Sequence, residues 1–269
     1  PANRPVTIRD LLSHTAGISY GGGLLSVNAR LDRAYATAGV KVMGHATLAE
    51  LVEHLSHAPL AHQPGEGWTY GLSHDVLGRV VEVVSGQGFD QYLKQHIFDP
   101  LDMRDTSFFV PEAKRDRVAT IYRAIGPVLL PMPKAYGSKT YFSGGAGLFS
   151  TARDYARFAQ MLANGGTLHG ARILRTDTLA AMTSNQIGAK RALFLYKYGF
   201  GFGLEMVPAA ADGNDEPLVD RYFWAGIFST FFWVDPRHDV VAVLMTQVIP
   251  TNQGVVLEFR RVVDAAIVE

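Results

Sequence analysis

The order of the secondary-structure signals predicts an α+β fold, in which helices fill the first two-thirds of the chain and an antiparallel meander of strands, closed by a last helix, fills the rest. Three observations carry this. Apolar residues recur at helical spacing behind Thr-x-x-acid caps as far as Gly165-Gly166. β-Branched and aromatic residues gather after Phe200, and Asp235-Pro236-Arg237-His238-Asp239 joins two of those runs as a short turn, which makes them antiparallel.

Each element has its own justification. Thr7-Ile8-Arg9-Asp10 has the form of a capping box, Leu11 and Leu12 follow, and Gly17 is the expected stop of a first short helix. Thr47-Leu48-Ala49-Glu50 repeats the device, with Leu48, Leu51, Val52 and Leu55 on one face until Pro59. After the turn Pro64-Gly65-Glu66-Gly67, the stripe Val76, Leu77, Val80, Val81 and Val84 predicts a well-buried helix ended by Gly86 and Gly88. Asp90 to Phe98 reads as helix up to Pro100, residues 104–150 mainly as loop, and Thr151-Ala152-Arg153-Asp154 caps a helix carrying Tyr155, Phe158, Ala159 and Leu162. Strands are expected at Phe200 to Val207, Arg221 to Trp224, Phe228 to Val234 and Val240 to Val248, followed by a helix after Gly254. Residues 208–217 are the best candidate for an exposed loop. The expected organisation is a mainly helical region, 1–190, and a region of strands plus C-terminal helix, 191–269, within one integrated domain.

Composition narrows the functions available. With 269 residues, 48% of them hydrophobic and 19% charged, the chain can bury a sizeable core. Its 25 basic and 25 acidic residues cancel, and no Lys/Arg-rich run occurs, so neither nucleic acid nor a membrane is expected as a partner. No apolar stretch approaches the roughly 20 residues that cross a bilayer. With no cysteine, thiolate nucleophiles, zinc–thiolate sites and iron–sulfur clusters are excluded. The same absence fits a cytosolic or a disulfide-free extracytoplasmic location, with the cytoplasm favoured. The chain opens on Pro1-Ala2-Asn3-Arg4-Pro5 without a legible leader, and the protein's true N-terminus is expected upstream.

Candidate sites were weighed by residue type and spacing. Of nine histidines, His54, His57 and His62 are close in sequence, but no His-Glu-x-x-His pattern accompanies them, and no metal or other cofactor is expected. His14 reads as a hydrogen-bonded residue that fixes the loop after the first helix. Gly21-Gly22-Gly23 and Ser143-Gly144-Gly145-Ala146-Gly147 lack the Lys-Ser/Thr and the preceding strand that a phosphate cradle needs. Gly-x-Ser-x-Gly is absent, so an α/β-hydrolase is not supported.

A set of ordered motifs nevertheless spans nearly the whole chain. Val6-Thr7-Ile8-Arg9-Asp10-Leu11-Leu12-Ser13-His14-Thr15-Ala16-Gly17, Pro64-Gly65-Glu66-Gly67-Trp68-Thr69-Tyr70, Asp75 to Gly86, Ile97 to Met103, Ser143 to Thr151 and Trp224-Ala225-Gly226 together resemble the serine β-lactamase-like and penicillin-binding-protein-like family. Class C β-lactamases and family VIII carboxylesterases are the most similar branches. The resemblance implies a β-lactamase/transpeptidase-like fold, with an antiparallel sheet flanked by helices and a mainly helical subdomain. It also implies an acyl-enzyme mechanism in which a Ser-x-x-Lys supplies nucleophile and lysine, a tyrosine is the general base, and a Lys-Thr-Gly or substitute triplet lines the site.

Carried onto this sequence, Tyr70 matches the base and Trp224-Ala225-Gly226 the triplet, while the backbone N–H of Ile227 matches an oxyanion donor. No serine here has lysine three places on: Ser13 is followed by Ala16, Ser73 by Val76, Ser138 by Tyr141 and Ser150 by Arg153. The family places that motif ahead of the Thr7-Ile8-Arg9 segment, so it is expected upstream of residue 1, in a segment that could also be present as a separate chain. Two departures bear on substrate. Trp224 stands where β-lactamases have lysine, which removes an anchor for a substrate carboxylate and leaves Trp224, Phe223 and Phe228 as apolar surface. Leu72 stands where they have the asparagine that orients an amide. Small neutral esters are therefore the expected substrates of a serine carboxylesterase. The alternatives are a D-amino-acid peptidase or weak class C-like β-lactamase, and a non-catalytic penicillin-binding-like module.

Overall fold

Thr7, Thr47 and Thr151 cap helices as their spacing predicts. In the computed structural model their hydroxyls accept from the backbone N–H groups of Asp10, Glu50 and Asp154 at 3.1–3.2 Å. Asp10 returns a bond to the N–H of Thr7 at 2.8 Å, completing a capping box. The structure describes residues 2–190, 199–206 and 221–267. In chain order these form helices α1 (Ile8–Leu12), α2 (Ala29–Thr37), α3 (Leu48–Ser56), α4 (Ser73–Ser85), α5 (Phe89–Leu93), α6 (Ala152–Ala163), α7 (Thr176–Met182) and α8 (Gln253–Ala266). The strands are β1 (Tyr122–Ile125), β2 (Val128–Pro131), β3 (Thr167–Leu168), β4 (Ala171–Arg172), β5 (Gly199–Phe200), β6 (Glu205–Met206), β7 (Tyr222–Ala225), β8 (Phe231–Asp235), β9 (Val240–Leu244) and β10 (Val248–Ile249).

Two compact units are assembled from interleaved stretches of chain. The first takes Pro1–Gln95, Ser138–Leu148 and Ala181–Met206, the second His96–Gly137, Phe149–Ala180 and Val207–Glu269.

In the first unit α4 packs against α1, α3 and α5. The contact is close because Gly78 lies on it: a Cβ there would stand 2.9 Å from Leu48 Cδ1 and 3.2 Å from the Phe89 ring. The buried positions of α4 are Ser73, Asp75 and Gly78, and Val84 is 81% exposed, so the expectation of a well-buried valine stripe is corrected. A valine row at helical spacing does not say which face the neighbours cover; the small residue at the crossing does. The first helix also stops earlier than expected, at Leu12, because His14 adopts a left-handed φ of 56°. Gly17 serves a chain crossing instead, since a Cβ there would lie 2.4 Å from the His62 carbonyl oxygen. Helix α2 carried no expectation from the sequence. Its Tyr35 is buried, and its hydroxyl accepts from the Ser19 N–H at 3.1 Å.

In the second unit β7, β8 and β9 form an antiparallel meander, with Trp224 opposite Phe232 and Phe231 opposite Leu244. Helix α6 lies against β8 and β9, and α8 against β9. Ring contacts separate the two faces: Phe232 meets Tyr155 of α6, whereas Trp233 meets Phe259 of α8. Covering both faces explains why β8 is a continuous apolar run rather than an alternating one. Arg221, buried, pairs at 2.7 Å with Asp235 and with Asp264, joining the end of β8 to α8.

Several sequence expectations need correction here. The expected strand from Phe200 to Val207 is a hairpin of two short strands, β5 and β6, and its last residue, with the candidate loop 208–217, lies outside the described residues. The expected Val240 to Val248 strand breaks after Leu244, and β10 pairs with β1 in parallel, so the strands are not all antiparallel. Residues 104–150, expected mainly as loop, are mainly irregular and contain in addition the β1–β2 hairpin. Among the described residues no helix is long and apolar enough to cross a membrane.

The Arg4 guanidinium, 2.7 Å from Asp10, holds that carboxyl well below the usual carboxylate range, with help from Thr7. A folded-state pKa depressed in this way stabilises the fold above the unfolded value near 4 and is lost as the pH falls below it. Asp10→Asn should therefore show a shallower fall of melting temperature between pH 5 and pH 2 than the native chain, measured by circular dichroism.

Candidate active site

Tyr70 is placed by a close passage of two chain segments in the first unit. The Thr69 N–H donates to the His14 carbonyl at 2.9 Å, and the Gly65 N–H to that of Thr15 at 2.8 Å. Gly71 then lies on the backbone of Ile18 and Ser19, where a Cβ would stand 2.2 Å from the Ile18 carbonyl oxygen. No other residue fits there. The side chain of the preceding residue, Tyr70, is thereby set among rings. It stacks on Trp68 at an interplanar angle of 8°, and it meets His14 and Tyr20 edge-on at 4.8 and 5.4 Å between centroids. Tyr70 is half-buried.

Around this phenol the polar groups divide sharply. His14 is 0% exposed, and burial pushes its imidazole well below the ordinary value, with the His74 ring 4.4 Å away adding to the shift. Its backbone, rather than its ring, makes the hydrogen bonds that fix the loop, which corrects the expectation for this residue. His74 is lowered by burial too, against a bond to the Leu12 backbone that raises it. Asp75, in the first turn of α4, is buried. Burial pushes its carboxyl up, opposed by bonds from Ser143 at 2.6 Å, from the Gly145 backbone and from Tyr141 at 3.4 Å. Ser143 to Gly147 is thus a loop anchored on α4 rather than an anion cradle. A Cβ on Gly144 would lie 2.2 Å from the His74 carbonyl oxygen.

Leu72, expected to line a substrate site, is 1% exposed and packs at the N-terminus of α4, so its side chain offers a ligand no surface. Period-free loop sequence gave no indication of that.

The expected triplet lies in the second unit. Trp224 and Ala225 end β7 half-buried, but Phe223 is 1% exposed and packs on Phe231, so it is core rather than apolar surface for a substrate. Gly226 is required where it stands, because a Cβ would be 2.1 Å from Thr230 Oγ1. Beyond it the turn is pinned through its carbonyls: Thr251 donates to Ile227 at 3.1 Å, and Thr246 to Phe228 and Ser229 at 2.9 and 2.8 Å. Ile227 itself is 61% exposed, and among the described residues its N–H has no backbone partner. Phe228 is half-buried beside it.

Histidines elsewhere form one cluster that sequence spacing missed: His45, Glu50 and His54 bring ligand-type atoms within 4.8 Å of one another. His45 Nε2 accepts from the Lys41 N–H at 3.0 Å, which leaves the ring proton on Nδ1, the atom facing Glu50. That tautomer donates rather than ligates. His57 pairs with Glu53 at the surface, and His62 bonds the Gln63 carbonyl.

The architecture is an α+β fold with helices on both faces of an antiparallel meander, and similar proteins share it. The beta-lactamase family profile matches residues 1–267, and the chain belongs to that family. It is 29% identical to esterase EstB of Burkholderia gladioli over 90% of this chain and 64% of that protein, and 29% identical to penicillin-binding protein 4 of Amycolatopsis lactamdurans over 95% and 62%. The chain therefore spans less than two-thirds of the length of these relatives. Among solved structures, EstCE1, described as a hydrolase with promiscuous acyltransferase activity, superposes with a TM-score of 0.80 at 26% identity, over 97% of this chain and 72% of that one. The fold is β-lactamase/transpeptidase-like.

The passage at Gly71 makes a direct prediction. Gly71→Ala should destabilise the chain by about 1–3 kcal/mol, the usual cost of overpacking, read as a lower urea midpoint.

Proposed function

We propose that the chain is the larger part of a serine hydrolase of carboxylesterase type that acts on small neutral esters through an acyl-enzyme, with its serine nucleophile and lysine supplied from outside residues 1–269. The observation that carries this reading is Tyr70: a half-buried phenol, fixed by stacking on Trp68 and by the close passage at Gly71, in a family whose similar members include esterase EstB.

The proposed steps balance around that phenol. Tyr70, as phenolate, takes the proton of the serine hydroxyl while the serine oxygen attacks the ester carbonyl. The oxygen of the tetrahedral intermediate gains charge, for which the Ile227 N–H is the proposed donor. As the intermediate collapses, the alcohol leaves with the proton that Tyr70 returns. Water then repeats the cycle on the acyl-enzyme and frees the acid. A phenol is protonated near neutrality, so the reading requires a cation or a donor at its oxygen; the lysine of the absent motif is the cation proposed.

Trp224 supports the ester preference. An indole in place of an ammonium group offers no counter-charge to a substrate carboxylate but a large apolar face. The promiscuous acyltransferase activity of the hydrolase EstCE1 supports an acyl-enzyme that an acceptor other than water can also intercept.

In the complete gene product, Tyr70→Phe should lower turnover of short-chain aryl esters by at least about a hundredfold. Unchanged turnover removes Tyr70 from the chemistry and the reading with it. Trp224→Lys should raise kcat/KM for acyl groups bearing a carboxylate relative to neutral ones, measured on a paired ester series; an identical profile in the two proteins counts against the pocket assignment.

A further inference from the structure

Two phenols meet in the first unit. The Tyr20 ring stands edge-on to that of Tyr70 with 5.4 Å between centroids, which brings the two phenols together. Resting on the reading of Tyr70 as the base, the geometry points to Tyr20 as a positioning residue that keeps its own proton, donates it as a hydrogen bond to the Tyr70 oxygen, and so both aims the base and favours its phenolate.

The direction of that bond follows from what surrounds Tyr20. Its ring is half-buried, and its hydroxyl lies near Asp75: a Cβ on Gly145 would be 2.9 Å from Asp75 Oδ2 and 3.6 Å from the Tyr20 hydroxyl oxygen, so both atoms border the same glycine. Burial raises the Tyr20 hydroxyl above the ordinary phenol range, and Tyr70, Asp75 and Tyr141 raise it further. Tyr141, also raised by burial and by Asp75, points its hydroxyl at that carboxylate and so competes for it, not for Tyr70. Tyr70 also meets His14, whose imidazole burial shifts toward the neutral form, and Trp68. Between two coupled phenols, the one beside a buried carboxylate ionises last. Environments that push a pair of titrating groups apart mark the donor and the base.

Geometry gives the second consequence. A phenol oxygen that accepts from Tyr20 must send its own proton in another direction, away from Tyr20. Tyr70 alone then exchanges protons with the reacting groups, while Tyr20 neither gains nor loses one.

The test compares Tyr20→Phe with the unsubstituted complete gene product. Removing the donor should raise the pH at which Tyr70 ionises by roughly one unit, read from phenolate absorbance as the difference from a matched Tyr70→Phe chain, and the acid limb of the kcat/KM profile should move the same way. A midpoint and a limb that both stay in place overturn the inference while leaving Tyr70 as base; loss of activity in Tyr20→Phe without any shift of either means packing alone and also overturns it. An unchanged turnover in Tyr70→Phe refutes the base assignment instead, so the two failures are distinct. Should Tyr20→Phe fail to fold, carbon-13 tyrosine spectra of the unsubstituted protein across pH decide: Tyr70 titrating before Tyr20 supports the assignment, and the reverse order overturns it.

Discussion

The passage of Gly71 over the backbone of Ile18 and Ser19 is the constraint on which the first unit depends. Two loop segments that would otherwise be kept apart by side chains come within van der Waals contact, and the Thr69 to His14 hydrogen bond locks their register. Everything of chemical interest nearby follows. Tyr70 is delivered beside Tyr20 because the residues flanking each are in contact. Helix α4 begins two residues later, so Asp75 is carried in its first turn to the back of the same cluster. A phenol on a free loop would sample many orientations; one placed by backbone contact has few left to lose on binding.

The electrostatics are equally one-sided. Two imidazoles packed 4.4 Å apart and buried cannot both be charged, and each is pushed toward its neutral form. The carboxyl of Asp75, near Tyr20, is itself resisted by burial and held by Ser143, Gly145 and Tyr141. Negative charge beside a phenol opposes its ionisation, so a tyrosine base here needs positive charge from elsewhere.

Much of this was legible in the sequence where local rules act alone. Threonine caps depend on residues three apart, and all three appear as expected. The Asp235 to Asp239 turn depends on its own residues and joins β8 to β9 as expected. What the sequence concealed depends on distant partners. The exposure of Val84, the burial of Phe223 and the parallel pairing of β10 with β1 are decided by which surfaces meet, and apolar periodicity is silent on that. Tyr20 was missed for the same reason, since the 49 residues between it and Tyr70 hide their contact. Glycines held the clue: Gly71, Gly144 and Gly145 each mark a point where another segment leaves no room for a Cβ.

Leu72 changes the weight of the substrate argument. As a residue facing ligand, it would have counted against amide substrates by failing to orient them. Packed in the core, it anchors the start of α4 and touches no ligand, so that line of discrimination disappears. The proposed preference for neutral esters then rests on Trp224, a half-buried indole at the end of β7 with the pinned turn of Gly226 to Ser229 directly after it. Such a turn fixes the backbone at Ile227 directly after Trp224, so the proposed oxyanion donor and the proposed apolar surface belong to one local structure. On the proposed reading, a change at Trp224 that leaves those carbonyl bonds intact would alter the recognition of charge on the acyl group without moving the proposed donor, so selectivity rather than turnover is the quantity it is proposed to control.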